Sequence, residues 1–110
     1  MAGQIIDKTW ITDNPIIQGV DWGGSTGHTL TASEAISTVT FSIAFYRGSE
    51  LIVTLTEANS MITHSGSYII YIKIPKATTS TLSKGAVKGD ILGTVGGVTS
   101  YYGTISTFIR

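Results

Sequence analysis

Hydrophobic and polar positions alternate most clearly between residues 36 and 74, and there the chain specifies a sheet. Residues 36–46 place Val39, Phe41, Ile43 and Phe45 on one side and Thr38, Thr40, Ser42 and Ala44 on the other. A period of two is the mark of a half-buried strand. Residues 51–56 repeat it with Leu51, Val53 and Leu55, and Arg47-Gly48-Ser49 supplies a turn between the runs. A further run at 67–74 follows Ser65-Gly66, so the segment predicts consecutive antiparallel strands. In that run Tyr68, Ile70, Ile72 and Ile74 share one face and Ile69, Tyr71 and Lys73 the other. Apolar residues on both faces predict an interior strand covered on both sides, the most buried of the chain.

The flanking segments are less regular. Residues 5–12 alternate, with Ile6 and Trp10 on one side, and read as a first strand or an extended arm. Asp13-Asn14-Pro15 is a turn signal, because Asp and Asn bond their own backbone and Pro fixes φ; residues 16–22 follow as a second extended segment. Gly23-Gly24-Ser25-Thr26-Gly27 then marks a loop or a close backbone approach. Residues 28–31 predict a brief strand. Thr31 and Glu34 have capping-box spacing, but the segment is too short for more than one helical turn. Met61 and Ile62 open another strand. Pro75 ends the run before it, since it offers no ladder donor, and the Ser- and Thr-rich tract 76–84 reads as a surface loop. Residues 90–95, 98–103 and 104–109 predict three short closing strands, with Gly96-Gly97 as a two-residue hairpin turn.

Turn signals at intervals of roughly 8–12 residues and about eight short strands without a substantial helix indicate an all-β chain, a single antiparallel β-sandwich of jelly-roll or immunoglobulin-like type. The chain divides into residues 1–12, an arm or first strand, and residues 13–110, the sandwich domain. At 110 residues it suits one domain with its own core.

Composition narrows the function. Charged residues are only 13% of the chain and the formal net charge is zero, so no footprint for nucleic acid or an anionic membrane is present. A surface this poor in charge suits a subunit that works against partners. With no cysteine, disulfides, thiolate nucleophiles and Cys-ligated zinc are excluded. The N-terminus lacks the basic start and apolar run of a signal peptide, and no stretch approaches the roughly 18 apolar residues of a membrane span. Synthesis in the cytoplasm is the expectation.

Candidate chemistry is sparse. His28 and His64 have no second ligand at helical or strand spacing, so a metal site requires Asp21 or Glu57 to converge on them. No Gly-x-Ser-x-Gly elbow accompanies the serines. Asp13 with Asp21, or Glu50 with Glu57, are the carboxylate pairs available for glycoside hydrolysis, and all sit in turn contexts. Gly85, Gly89, Gly93, Gly96 and Gly97 lack the Gly-Lys-Ser/Thr and the helix of a phosphate loop and read as turn glycines. Neither a catalytic residue, a cofactor site nor a small-molecule substrate is predicted. The aromatics Trp10, Trp22, Tyr46, Tyr71, Tyr101 and Tyr102 have two readings. They form a sugar-stacking platform, or the tryptophans close the core while the tyrosines pack sheet faces and subunit contacts.

Residues 30–43, Leu-Thr-Ala-Ser-Glu-Ala-Ile-Ser-Thr-Val-Thr-Phe-Ser-Ile, preceded by Asp21-Trp22, resemble the opening of small immunoglobulin-like virion proteins of tailed bacteriophages. Gly66-Ser67-Tyr68-Ile69-Ile70-Tyr71 resembles their later Gly-x-Tyr strand, and Thr107-Phe108-Ile109-Arg110 their closing strand. A second echo, Tyr46-Arg47-Gly48-Ser49 leading to Leu55-Thr56-Glu57-Ala58, is similar to phage baseplate β-modules. Size and self-contained β architecture look most like the capsid decoration, or cement, proteins of epsilon15-like short-tailed phages. That resemblance implies a virion location on the capsid surface, the major capsid protein as partner, self-association there, and no cofactor. The implied contact elements are the arm 5–17, the glycine loop around Gly24 and the loop 76–88. The contact residues expected from them are Ile5, Ile6, Trp10, Ile16, Ile17, Trp22, Lys76, Lys84 and Lys88.

Overall fold

The computed structural model describes residues 15–32 and 34–110. The predicted strand or arm at residues 5–12 and Asp13-Asn14 lie outside the described residues, as does Ser33.

Among the described residues, seven strands form two antiparallel sheets. β1 (His28–Thr31), β5 (Ile69–Ile72) and β4 (Ile62–Ser65) form one, in the order β1-β5-β4. β3 (Glu50–Thr56), β2 (Thr40–Arg47), β6 (Gly85–Val95) and β7 (Val98–Ile109) form the other, in the order β3-β2-β6-β7. The hairpins β2–β3, β4–β5 and β6–β7 are joined across the chain by β1 on β5 and β2 on β6. In immunoglobulin lettering these are strands B-E-D facing G-F-C-C′, so the sandwich is immunoglobulin-like. Each sheet turns one row inward. Leu30, Ile62, Ile70 and Ile72 of the first meet Phe41, Ile43, Phe45, Leu55, Val87, Ile91 and Ile105 of the second in one buried cluster.

The predicted alternation of β2 is what the structure shows, with Phe41, Ile43 and Phe45 buried and their neighbours outside. The strand starts at Thr40, however, and residues 36–39 form a turn closed by the Val39 N–H on the Ile36 carbonyl. Consecutive pairing along 36–74 is corrected: β5 lies in the opposite sheet from β2 and β3. Two-sided burial of the 67–74 run is corrected too. β5 is central in its sheet, but Tyr68 is 52% exposed and Ile69 and Tyr71 are only half-buried. Isoleucine on the outer face reflects the preference of β-branched side chains for a pleated surface, not a covering layer.

The three predicted closing strands are two long ones. Gly93 lies within β6, and Gly103 is absorbed in β7 at a bulge, where the register slips between Ile91 opposite Gly103 and Leu92 opposite Tyr101. Gly96 and Gly97 form the predicted turn between Val95 and Val98, both with positive φ, as a type I′ hairpin demands. Gly85, Gly89 and Gly93 are strand residues, not turn glycines. Residues 16–22 are no strand. Ile16 bridges Ile109 in parallel, the chain turns at Gly19, and Trp22 bridges Ile74. The tract after Pro75 is a one-turn helix, α1 (Lys76–Thr79), that buries Thr79; Leu82 just beyond it is also buried. Residues 85–88 of the predicted loop belong to β6.

Candidate functional site

The outer face of the larger sheet carries a concavity. Register sets Tyr46 opposite Lys88, Lys88 opposite Ser106, and Ala86 opposite Phe108, so these side chains share one face by the alternation that buries Phe45, Val87 and Ile105 on the other. Between them runs a groove of about 670 Å³, lined also by Arg47, Gly48 and Asp90. Tyr46 is 37% and Phe108 48% exposed. The small Ala86 next to Phe108 keeps the groove open.

Local hydrogen bonds hold its end. Gly48-Ser49 turns β2 into β3 with positive φ at Gly48. Arg47 then donates from Nη1 to Ser83 Oγ at 2.7 Å and from Nη2 to the Ser83 carbonyl at 2.8 Å, tying the start of β6 to the end of β2. Its guanidinium lies against Gly85, where a Cβ would come within 3.1 Å of it. On the sheet face, Thr104 Oγ1 donates to Asp90 Oδ1 at 3.3 Å and contacts the Tyr101 hydroxyl.

A smaller cavity of about 250 Å³ is lined by Pro15, Ile17, Val20, Asp21, Trp22, Gly23 and His28. The His28 ring stands edge-on to Trp22, with centroids 4.6 Å apart. Burial lowers the His28 pKa below its ordinary 6.5, because the charged imidazolium loses hydration there. The unfolded chain therefore binds more protons than the folded one as pH falls below about 6.5, and stability drops until the folded pKa is passed. We expect the urea midpoint to fall across that window, and the fall to be smaller in His28→Gln; equal slopes in both proteins would contradict this.

His64 meets a carboxylate. Its Nε2 lies 3.0 Å from Glu57 Oε2, and the same oxygen accepts the Phe41 N–H at 2.6 Å. Asn59 shapes this connection: its Oδ1 accepts the N–H groups of Thr56 and Met61, and its Nδ2 donates to the Thr54 carbonyl. The convergence of Glu57 on a histidine thus occurs, while Asp21 instead accepts the Lys76 N–H at 2.7 Å. Among the described residues no group of three or more His, Asp or Glu comes together. Glu50 and Glu57 sit at opposite ends of β3, roughly 20 Å apart, far beyond the spacing of a glycosidase pair. Glu57, Phe41 and His64 form a structural clasp between the sheets.

No family model, curated protein or solved structure matches this chain. The placement of the predicted residues therefore rests on geometry alone. Ile16, 0% exposed, and Trp22, 4% exposed, are core residues and are removed from the predicted contact set. Burial of Trp22 and Tyr102 also removes them from a sugar-stacking platform. Trp22 packs edge-on against Phe45 with centroids 6.1 Å apart, and Tyr102 against Phe41 at 5.1 Å. Ile17, Lys76, Lys84 and Lys88 are exposed, and of these only Lys88 lines the groove. Ile5, Ile6 and Trp10 lie outside the described residues. Phe108 and Asp90 are not among the expected contact residues, although alternation against buried Ile109 and Ile91 places both side chains on the outer face.

Proposed function

We propose that this protein is a non-enzymatic structural protein of a bacteriophage virion, decorating the capsid and bridging neighbouring capsomers. The observation that carries the reading is the surface of the β6–β7 hairpin. No charged side chain occurs between Asp90 and Arg110, and Val95, Val98 and Tyr101 are 47%, 67% and 59% exposed. Among the described residues β7 is the outermost strand of its sheet, paired on its outer side only at Ile16. Edge strands of proteins that stay apart in solution carry lysines, prolines or inward charges; β7 carries none, and among the described residues its bulge and the Ile16 bridge are what guard it. Such a surface is suited to burial against another protein. The resemblance of residues 30–43 and 66–71 to phage virion proteins supplies the partner, the major capsid protein, with self-association on the same surface.

The mechanism is mechanical. Many copies, each contributing a modest contact, hold capsomer junctions together against the pressure of packaged DNA by avidity. Cryo-electron microscopy of the virions tests it: density for the sandwich is expected at capsomer junctions, whereas density on the tail would assign it to the baseplate, and no density would overturn the reading. Val98→Lys is expected to lower head occupancy without changing the melting temperature, because the residue touches solvent in the free protein.

A further inference from the structure

We propose that the groove on the outer face of β2, β6 and β7 is a glycan-binding site that takes a neutral hexopyranose between Tyr46 and Phe108. This inference does not depend on the capsid reading and holds wherever the protein is displayed. Three observations carry it. The concavity, about 670 Å³, lies within the range of small-molecule sites, about 300–1,000 Å³, and is formed by sheet residues and a fixed turn. Its two aromatic side chains are exposed on strands separated by β6, Tyr46 opposite Lys88 and Phe108 opposite Ala86, so they flank the groove instead of packing on each other. An exposed ring beside a concavity offers the face that an apolar C–H surface of a pyranose covers.

The polar groups decide the class of ligand. Lys88 contributes an ammonium donor, Asp90 a carboxylate acceptor, and Ser106 a hydroxyl that does both. Arg47, which also lines the groove, spends its guanidinium on Ser83 and the Ala86 carbonyl, so the charged groups left to a ligand are one of each sign, Lys88 and Asp90. Paired donors and acceptors between apolar walls complement a molecule with hydroxyls around its rim and C–H groups on its face. An extended peptide fits less well, because the face of a sheet has no free backbone groups to pair with it; those belong to the edge.

Titrating the isotope-labelled protein with glucose, galactose, mannose, N-acetylglucosamine and their neutral oligomers, followed by amide chemical shifts, tests the proposal. Saturable shifts are expected at residues 46–48, 86–90 and 106–108. Tyr46→Ala and Phe108→Ala are each expected to weaken binding about three- to tenfold, the loss of one ring contact. Asp90→Asn, at an exposed position, is expected to weaken it comparably while leaving the spectrum folded, and carries the test if a ring variant unfolds. The proposal is overturned if no sugar moves these amides, if binding survives all the substitutions that fold, or if an acidic sugar or a peptide binds the same amides more tightly.

Discussion

Replacing Phe41 with alanine is expected to destabilise the protein by about 3–5 kcal/mol, the range for removing a fully buried phenylalanine. The ring is 1% exposed, stands edge-on to Tyr102 of β7 at 5.1 Å, and lies 5.8 Å from the His64 ring of the opposite sheet. It therefore fills the space where the two layers meet at one end of the sandwich. Its neighbours cannot close the gap readily, because the Glu57 carboxylate holds both the Phe41 N–H and His64 in place. Set against the usual 5–15 kcal/mol for a whole domain, the loss is a large share of the total. The melting temperature should fall by roughly 15–30 °C. In urea the midpoint should move while the slope stays the same, since the surface exposed on unfolding barely changes. A loss below about 1 kcal/mol would mean that the site collapses onto the cavity, contrary to the clasp described above.

Phe41 also shows what the sequence makes legible. Its inward direction follows from strict alternation with Thr40 and Ser42, and the same rule predicts Ile43 and Phe45. Gly96-Gly97 likewise announces its own hairpin, because both positions demand positive φ. These are local rules, in which each residue's neighbours in the chain decide the outcome. The partner of a strand is not local. Ile70 and Ile72 predict a strand correctly but say nothing of the sheet that holds it, and their run reads as two-sided because Ile69 and Tyr71 are apolar on a partly open face. Ile16 and Trp22 are expected as contact residues for the related reason that irregular backbone has no period from which to read burial. The groove is least legible of all. Tyr46 and Phe108 come together only through the order β2-β6-β7, and the ends of two distant strands define its walls.

The glycines of β6 make the same point energetically, and Gly93 gives the sharpest test. Its φ is not in the positive range, so alanine is compatible with the backbone, and on chain entropy alone Gly93→Ala would stabilise the protein by about 0.4–1 kcal/mol. Space reverses the sign. An added Cβ would stand 2.5 Å from Tyr102 Cε1 and 2.6 Å from Val39 Cγ1, both side chains buried at 5% exposure. The Tyr102 ring packs on Phe41, so it cannot tilt away without disturbing the core contact whose loss Phe41→Ala measures. Overpacking of this kind costs about 1–3 kcal/mol, and we expect a net loss of about 2 kcal/mol, near 10 °C in melting temperature. The close approach predicts coupling as well. Val39→Ala should cost less in the Gly93→Ala background than in the natural sequence, by 0.5 kcal/mol or more in a double-mutant cycle on the order of other contacting pairs. Additive losses, or a stabilised Gly93→Ala, would show that the ring has room to move and that Gly93 is not there to admit it.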